Sequence, residues 1–246
     1  MSFIKNILGR VFAVWAALVF CVTLLIVLIP LWALGLVAEP RRSHLMQPIF
    51  RAWMAAFFTL SGIRRSYRGR EHFAKGENYI VVCNHRSYMD PPLSTPGMIA
   101  GNKTIAKSEM VKIPLFGIIY RRGSVLVNRK SEESRKASYV RMREVLTRLG
   151  LHMCIYPEGT RNKTSQSLTR FHEGAFRLAT ETGKEVIPAL LFHSDKVLPN
   201  NKGFFFWPHR VAMHFLPPVS PKGKTSEQLR DEVFAIMESY YENTKA

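Results

Sequence analysis

Cysteine is scarce in this 246-residue chain, and the three present, Cys21, Cys83 and Cys154, stand alone without a Cys-x-x-Cys spacing. That pattern argues against a disulfide framework and offers no metal site, so a reducing compartment is the simplest setting. Cys83 and Cys154 lie in apolar runs and read as strand core rather than activated thiols. Acidic residues are also few, 18 against 35 Lys and Arg, leaving a formal net charge of +17 and a pI near 10.2. The partners of such a chain should be anionic: nucleic acid, an anionic lipid surface or phosphorylated molecules. No nucleic-acid motif accompanies the charge, so nucleic acid is not expected among them. A Gly-x-Ser-x-Gly elbow is missing, which argues against serine-hydrolase chemistry. Internal repeats, low-complexity tracts and interdomain linkers are missing too, and the length suits one domain with a short appendage.

Charge is absent altogether from Val11 to Ala38, a stretch longer than the roughly 20 residues that cross a bilayer as a helix. It is also longer than the apolar region of a signal peptide. Lys5 and Arg10 precede it and Arg41 and Arg42 follow, so the flanks set no orientation, and Pro30 is a candidate break. A second apolar stretch, Leu45 to Ile63, has Met46, Ile49, Phe50, Trp53, Met54, Phe57 and Phe58 at helical spacing. Two helices anchored in one leaflet are the expectation here, with a single span as the alternative. Residues 1–63 are therefore read as a membrane-anchoring segment and residues 64–246 as the folded domain.

Beyond Arg64 short apolar runs alternate with helical patterns. Tyr79–Cys83, Thr104–Ala106, Ser124–Val127, His152–Tyr156, Val186–Phe192 and Val211–Leu216 read as strands. Helices are expected from Glu132 to Leu149, capped by Ser131 and stopped by Gly150, and over Phe171–Thr182, stopped by Gly183. A third runs from Ser226 towards Tyr241 behind a Thr225/Gln228 capping box. The alternation implies an α/β fold with a mostly parallel or mixed central sheet flanked by helices. Arg64, Arg65, Arg68 and Arg70 follow the second apolar stretch and read as contacts to phosphate head groups or as a solvated face. The stretch Pro199–Phe206 reads as an exposed turn leading into an aromatic cluster.

Two segments carry the chemistry, and both fall just beyond expected strand ends, where working residues of α/β sheets gather. In Asn84-His85-Arg86-Ser87-Tyr88-Met89-Asp90, His85 can take a proton and Asp90 can hold its other ring nitrogen. Positions five apart do not share a helix face, and Pro91 and Pro92 oppose a helix through Asp90, so a bent loop is expected to join them. The alternative makes Asp90 the N-cap of a helix with Pro91 at its first position. In Tyr156-Pro157-Glu158-Gly159-Thr160-Arg161, a guanidinium fork lies beside a backbone flexible enough to approach a phosphate.

In these blocks and their order the chain resembles the lysophosphatidate acyltransferase family, the 1-acylglycerol-3-phosphate acyltransferases, whose signatures are Asn-His-x-x-x-x-Asp and Phe-Pro-Glu-Gly-Thr-Arg. The block from Lys107 through Pro114 and Gly117 to Arg129 and the later Val186-Ile187-Pro188 belong to the same resemblance, which covers about half the chain. It implies an acyl transfer from acyl-CoA or acyl-carrier protein to the free hydroxyl of lysophosphatidic acid, making phosphatidic acid. His85 and Asp90 would be catalytic. Lys107, Arg129, Glu158, Gly159, Thr160 and Arg161 would bind substrate, with Arg161 on the acceptor phosphate and Glu158 orienting glycerol hydroxyls or holding Arg161. No metal or other cofactor is called for, and direct attack is favoured over an acyl-enzyme. The expected location is the cytoplasmic face of a bacterial inner membrane, on an anionic surface. Tyr156 stands where the family commonly has Phe, Asn162 where Ser is frequent and Asn128 where Asp is frequent, and only the last touches acceptor recognition. Glycerol 3-phosphate or another lysolipid is the alternative acceptor, and a non-catalytic basic lipid-binding module is the alternative from another class.

Overall fold

The sheet is built on strands that have no polar face. Ile80–Cys83 (β2), His152–Ile155 (β5) and Val186–Phe192 (β6) are buried at every position, as expected of parallel strands covered on both sides. The computed structural model describes residues 2–244. Their remaining strands are Arg64–Arg68 (β1), Asn102–Lys107 (β3), Ser124–Val127 (β4) and Arg210–Phe215 (β7), in the order β1-β7-β6-β2-β5-β3-β4. The five strands from β6 to β4 run parallel, and β7 joins β6 antiparallel with β1 parallel beside it. The fold is thus the mixed α/β sheet that the alternating pattern implies.

Strand β1 was not foreseen. Arg64, Arg65, Ser66 and Arg68 are exposed in an edge strand with no apolar alternation, and such charge is what guards an edge against further pairing. The capping signals correspond closely to what is seen. Ser131 accepts from Ser134 N–H ahead of α5 (Glu132–Thr147), and Thr225 and Gln228 exchange two bonds ahead of α8 (Ser226–Thr244). Gly183, at φ +70°, ends α6 (Gly174–Thr182) in the left-handed conformation that glycine adopts without cost.

Successive residues of β2 serve two cores. Ile80 and Val82 face α5, α6 and α8, meeting Leu146, Phe176, Leu229 and Val233. Val81 and Cys83 face the other way, into a core shared with α1 (Ser2–Ala33), α2 (Arg41–Leu60) and α3 (Asp90–Gly97), which includes Trp53, Phe57, Phe58 and Leu93. The boundary expected after residue 63 marks a change from helix to strand, while the hydrophobic core continues across it. The short helices α4 (Phe116–Gly123) and α7 (Ser194–Val197) complete the element order.

Helix α1 and the 3-10 turn after it, Leu34–Leu36, form a segment, Phe3–Leu36, long and apolar enough to cross a membrane, with mean hydropathy 2.9. Pro30 does not break it; the residue sits inside the last turn. The helix is nevertheless met by the rest of the protein along its length. Gly9 C=O accepts from Phe206 N–H at 3.0 Å, Trp15 Nε1–H donates to Leu60 C=O at 2.8 Å, Trp53 Nε1–H donates to Thr23 at 3.0 Å, and Arg122 donates to Leu31 C=O. From Gly9 to Leu31 that is about 33 Å of helix. Its other side leaves Phe3, Val11, Leu18, Leu25 and Ile29 exposed, with Trp15 at the margin.

An ion cluster ties the turn between α1 and α2 to the sheet. Glu39 accepts from Lys103 at 2.7 Å, from Arg42 at 2.7 Å and from Ser43 Oγ at 2.7 Å. Burial works to raise the Glu39 pKa, but these donors, Lys103 foremost, outweigh it and hold the carboxyl at about 2 instead of 4.5. The folded value lies below the unfolded one, so the cluster's contribution is complete above about pH 4.5 and is lost as pH falls through about 2. Acid titration followed by circular dichroism should show stability falling across that window, and Glu39→Gln should lower neutral-pH stability while flattening the fall.

Candidate active site

Because β2 to β6 run parallel, their C-terminal ends share one rim, and the chemistry-bearing residues fall on the loops that leave it. His85 follows β2, Lys107 ends β3, Arg129 follows β4, and Glu158 to Arg161 follow β5. The chain after β2 bends through residues 84–88 and enters α3 at Asp90. The expected bend is present, but it lies ahead of Asp90. Pro91 and Pro92 do not oppose the helix; they occupy its first turn, where an N–H would have no partner.

Asp90 is fully buried, and its Oδ2 accepts three bonds of 2.7 Å, from His85 Nδ1, Arg86 N–H and Ser87 N–H. With Nδ1 turned to a carboxylate, a neutral imidazole carries its proton there and leaves the Nε2 lone pair able to accept another. Tyr156 lies against the imidazole with ring centroids 4.4 Å apart, and its own hydroxyl is tied to Ser94 Oγ at 2.7 Å. The ring is therefore held in plane as well as in rotation.

The two signature segments grip each other through the His85 backbone. Its N–H donates to Glu158 Oε1 at 2.7 Å, and its carbonyl accepts from Asn162 N–H at 2.7 Å. Glu158 Oε2 accepts from Thr169 N–H at 3.0 Å and Thr169 Oγ at 2.5 Å. Both oxygens of this buried carboxylate are thus engaged inside the protein. Glu158 was expected to orient glycerol hydroxyls or hold Arg161; the bonds it makes here run to His85 and Thr169. Burial raises the Glu158 pKa, opposed by the bonds from Thr169 and His85. Gly159 turns the chain at φ +68°, where a Cβ would lie 2.7 Å from the His172 ring, so a side chain is excluded on two counts.

Arg161 stands over the Tyr88 ring at 3.6 Å and donates to Asn200 Oδ1 at 2.5 Å. Among the described residues no carboxylate pairs with it. Asn200 in turn donates to the Arg86 carbonyl, so Tyr88 and Asn200 aim the guanidinium beside the loop that carries His85. Asn200 was read as part of an exposed turn; a lone Asn in a Pro/Asn/Gly-rich stretch has no sequence signal that separates a clamp from a turn. Arg129 donates to the Gly159 carbonyl and so joins the same turn. Lys107 and Thr160 are exposed on the rim, and the structure bonds neither to the others. Asn84 bridges β2 to β6, exchanging two bonds with the Leu191 backbone. No group of three or more potential ligands gathers as a metal site among the described residues.

A model of the family named Acyltransferase matches residues 64–191, about half of the chain. The chain belongs to this acyltransferase family. Its similarity to the 1-acyl-sn-glycerol-3-phosphate acyltransferase of Borreliella burgdorferi is 30% identity over 154 residues, 62% of this chain and 61% of that protein. With the alpha form of the Mus musculus enzyme of the same name it is 29% over 181 residues, 73% and 62% of the two chains. The chain thus spans about three-fifths of the length of these relatives. The crystal structure of the 1-acyl-sn-glycerophosphate (LPA) acyltransferase PlsC from Thermotoga maritima superimposes with a TM-score of 0.81 at 25% identity, covering 100% of this chain and 98% of that one.

In this acyltransferase a positioning role for Glu158 has its own signature. Glu158→Gln would place an NH2 group against donors from His85 or Thr169, at a cost of about 1–3 kcal/mol. The turnover number should fall while KM for the acceptor stays near that of the wild type. A raised KM with unchanged turnover would instead put Glu158 on the substrate.

Proposed function

We propose that the chain transfers a fatty acyl group from acyl-CoA or acyl-carrier protein to the sn-2 hydroxyl of 1-acyl-sn-glycerol 3-phosphate, making phosphatidic acid for phospholipid synthesis. The observation that carries this reading is the His85 Nδ1 to Asp90 bond of 2.7 Å on the same rim as a guanidinium without a carboxylate partner. The names of the similar proteins supply the acceptor class. In the proposed reaction His85 Nε2 removes the proton of the acceptor hydroxyl, and the oxygen attacks the thioester carbonyl. The tetrahedral adduct then collapses with cleavage of the carbon–sulfur bond, and the departing thiolate takes the proton from His85. The proton taken from the hydroxyl ends on the thiol, so His85 returns to its starting form.

Arg161 is assigned to the acceptor phosphate because its planar fork matches two phosphate oxygens. Lys107 and Arg129 add positive charge along the rim, and Gly159 and Thr160 shape the turn that brings the substrate past it. Residues 64–246 form the catalytic unit in this reading, with residues 1–63 as its anchor. We place the anchor in one leaflet, on the cytoplasmic face of a bacterial inner membrane, and α1 supports the single-leaflet part of that reading. A helix held by the domain over about 33 Å has no free length with which to cross a bilayer. Its exposed apolar side is suited to lie in the acyl boundary of an anionic surface.

Two measurements test the reading. His85→Ala should lose about 10²–10⁴ in turnover while still binding acceptor, and near-normal turnover would overturn the mechanism. Arg161→Lys keeps the charge without the fork and should lower use of the phosphorylated acceptor by about 10–150-fold. A monoacylglycerol lacking phosphate should be affected far less. Running wild type against a matrix of acceptors and of CoA and carrier-protein donors, with mass spectrometry of products, identifies both substrates.

A further inference from the structure

A groove of about 810 Å³ opens at the far edge of the sheet, lined by Arg51, Arg64, Arg65, Arg70 and Tyr67 and by no aspartate or glutamate. Strands β7 and β6 separate β1 from β2, which puts it about 14 Å along the sheet from the strand that leads to His85. Part of this arginine cluster has a local explanation. Arg51 Nη2 donates to Met98 C=O at 2.9 Å, Arg70 Nε donates to Gly97 C=O at 2.9 Å, and each also reaches the Pro96 carbonyl. They cap the C-terminal end of α3, whose partial charge is only about half a unit. That end cannot neutralise four guanidinium groups. Among the described residues the Nη1 groups of Arg51 and Arg70 meet no acceptor and Arg64 meets no carboxylate, while Arg65 rests over the Phe58 ring at 5.9 Å. Burial lowers the Arg70 pKa, and although Tyr67 opposes this, the neighbouring Arg51 and Arg65 add to it.

The position of the groove selects its ligand. Thr59 and Gly62 at the end of α2 form one wall, next to Leu60, which is 54% exposed, and to Trp15 of α1, which is 48% exposed and bonds to the Leu60 carbonyl. The cations therefore adjoin the apolar face assigned above to the membrane. We propose that this groove binds the phosphate of an anionic phospholipid head group, at a site separate from the catalytic rim. The inference deepens the anchoring part of the proposed function and is independent of the acyl-transfer reading. Guanidinium forks suit phosphodiester oxygens, and a site at the lipid level meets them at high local concentration.

The test uses the full chain and vesicles of phosphatidylcholine alone or with about one-third phosphatidylglycerol. Arg64→Gln with Arg65→Gln removes two groove cations whose guanidinium groups make no hydrogen bond to the described residues. The preference for anionic over neutral vesicles should fall about fivefold per arginine, about 25-fold in all. Lys136→Gln with Arg143→Gln, on α5 across the sheet, should leave it nearly unchanged. An equal fall in both double variants would show diffuse surface charge and overturn the site. Binding to neutral vesicles reports α1 alone, so its loss in the wild type would remove the anchoring reading instead. In that event thermal shift decides the groove. Glycerophosphoglycerol should stabilise wild type and not the Arg64/Arg65 variant, whereas equal stabilisation by inorganic phosphate at matched ionic strength would make it a free-phosphate site and contradict the proposal.

Discussion

One carboxylate oxygen organises the working end of this protein. Asp90 Oδ2 gathers the His85 ring and the N–H groups of Arg86 and Ser87, each at 2.7 Å. Without it the loop after β2 would have two unpaired buried donors and an imidazole free to rotate. Its placement follows from α3, which begins at Asp90 and holds Pro91 and Pro92 in its first turn, where their missing N–H groups leave no helical bond unmade. The same residue thus opens a helix, closes a loop and orients an imidazole. Those roles are not alternatives, because the first-turn position is what brings the carboxylate back over the preceding loop.

A second carboxylate extends this order to a segment far away in sequence. Glu158 holds the His85 N–H while Asn162 N–H holds its carbonyl, so the β5 loop clasps the residue after β2 from both sides. Strands β2 and β5 are neighbours in the sheet, which makes the clasp short. Shape and chemistry divide cleanly here. Glu158, Gly159 and Asn162 secure the backbone, while His85 and Arg161 present side chains to the open rim. The same logic holds for Asn84, which ties the root of the loop to β6.

Much of this was legible in the sequence, for physical reasons that differ by element. Buried runs such as Val186–Phe192 announce parallel strands because both faces are covered, and Ser131 and the Thr225/Gln228 pair announce helix starts because unpaired N–H groups need acceptors. The His85–Asp90 pairing was readable as a chemical possibility and is realised in the geometry. Strand β1 was hidden, since an edge strand of arginines has neither alternation nor burial to betray it. The partners of Glu158 were not legible, because a carboxylate beside an arginine in sequence suggests an ion pair, whereas its bonds here come from His85 and Thr169, 73 and 11 residues away. Asn200 was missed for the same reason: its partners, Arg161 and Arg86, lie 39 and 114 residues distant.

The account rests on His85 carrying its proton on Nδ1 and offering Nε2 to the acceptor. Nitrogen-15 NMR of histidine-labelled protein, with His85 assigned by comparison with His85→Gln, reads this directly at a pH where the ring is neutral. The geometry predicts the Nδ1–H tautomer in the wild type and its loss or mixing in Asp90→Asn. A neutral His85 protonated on Nε2 in the wild type would contradict the assignment of His85 as the base that Asp90 orients.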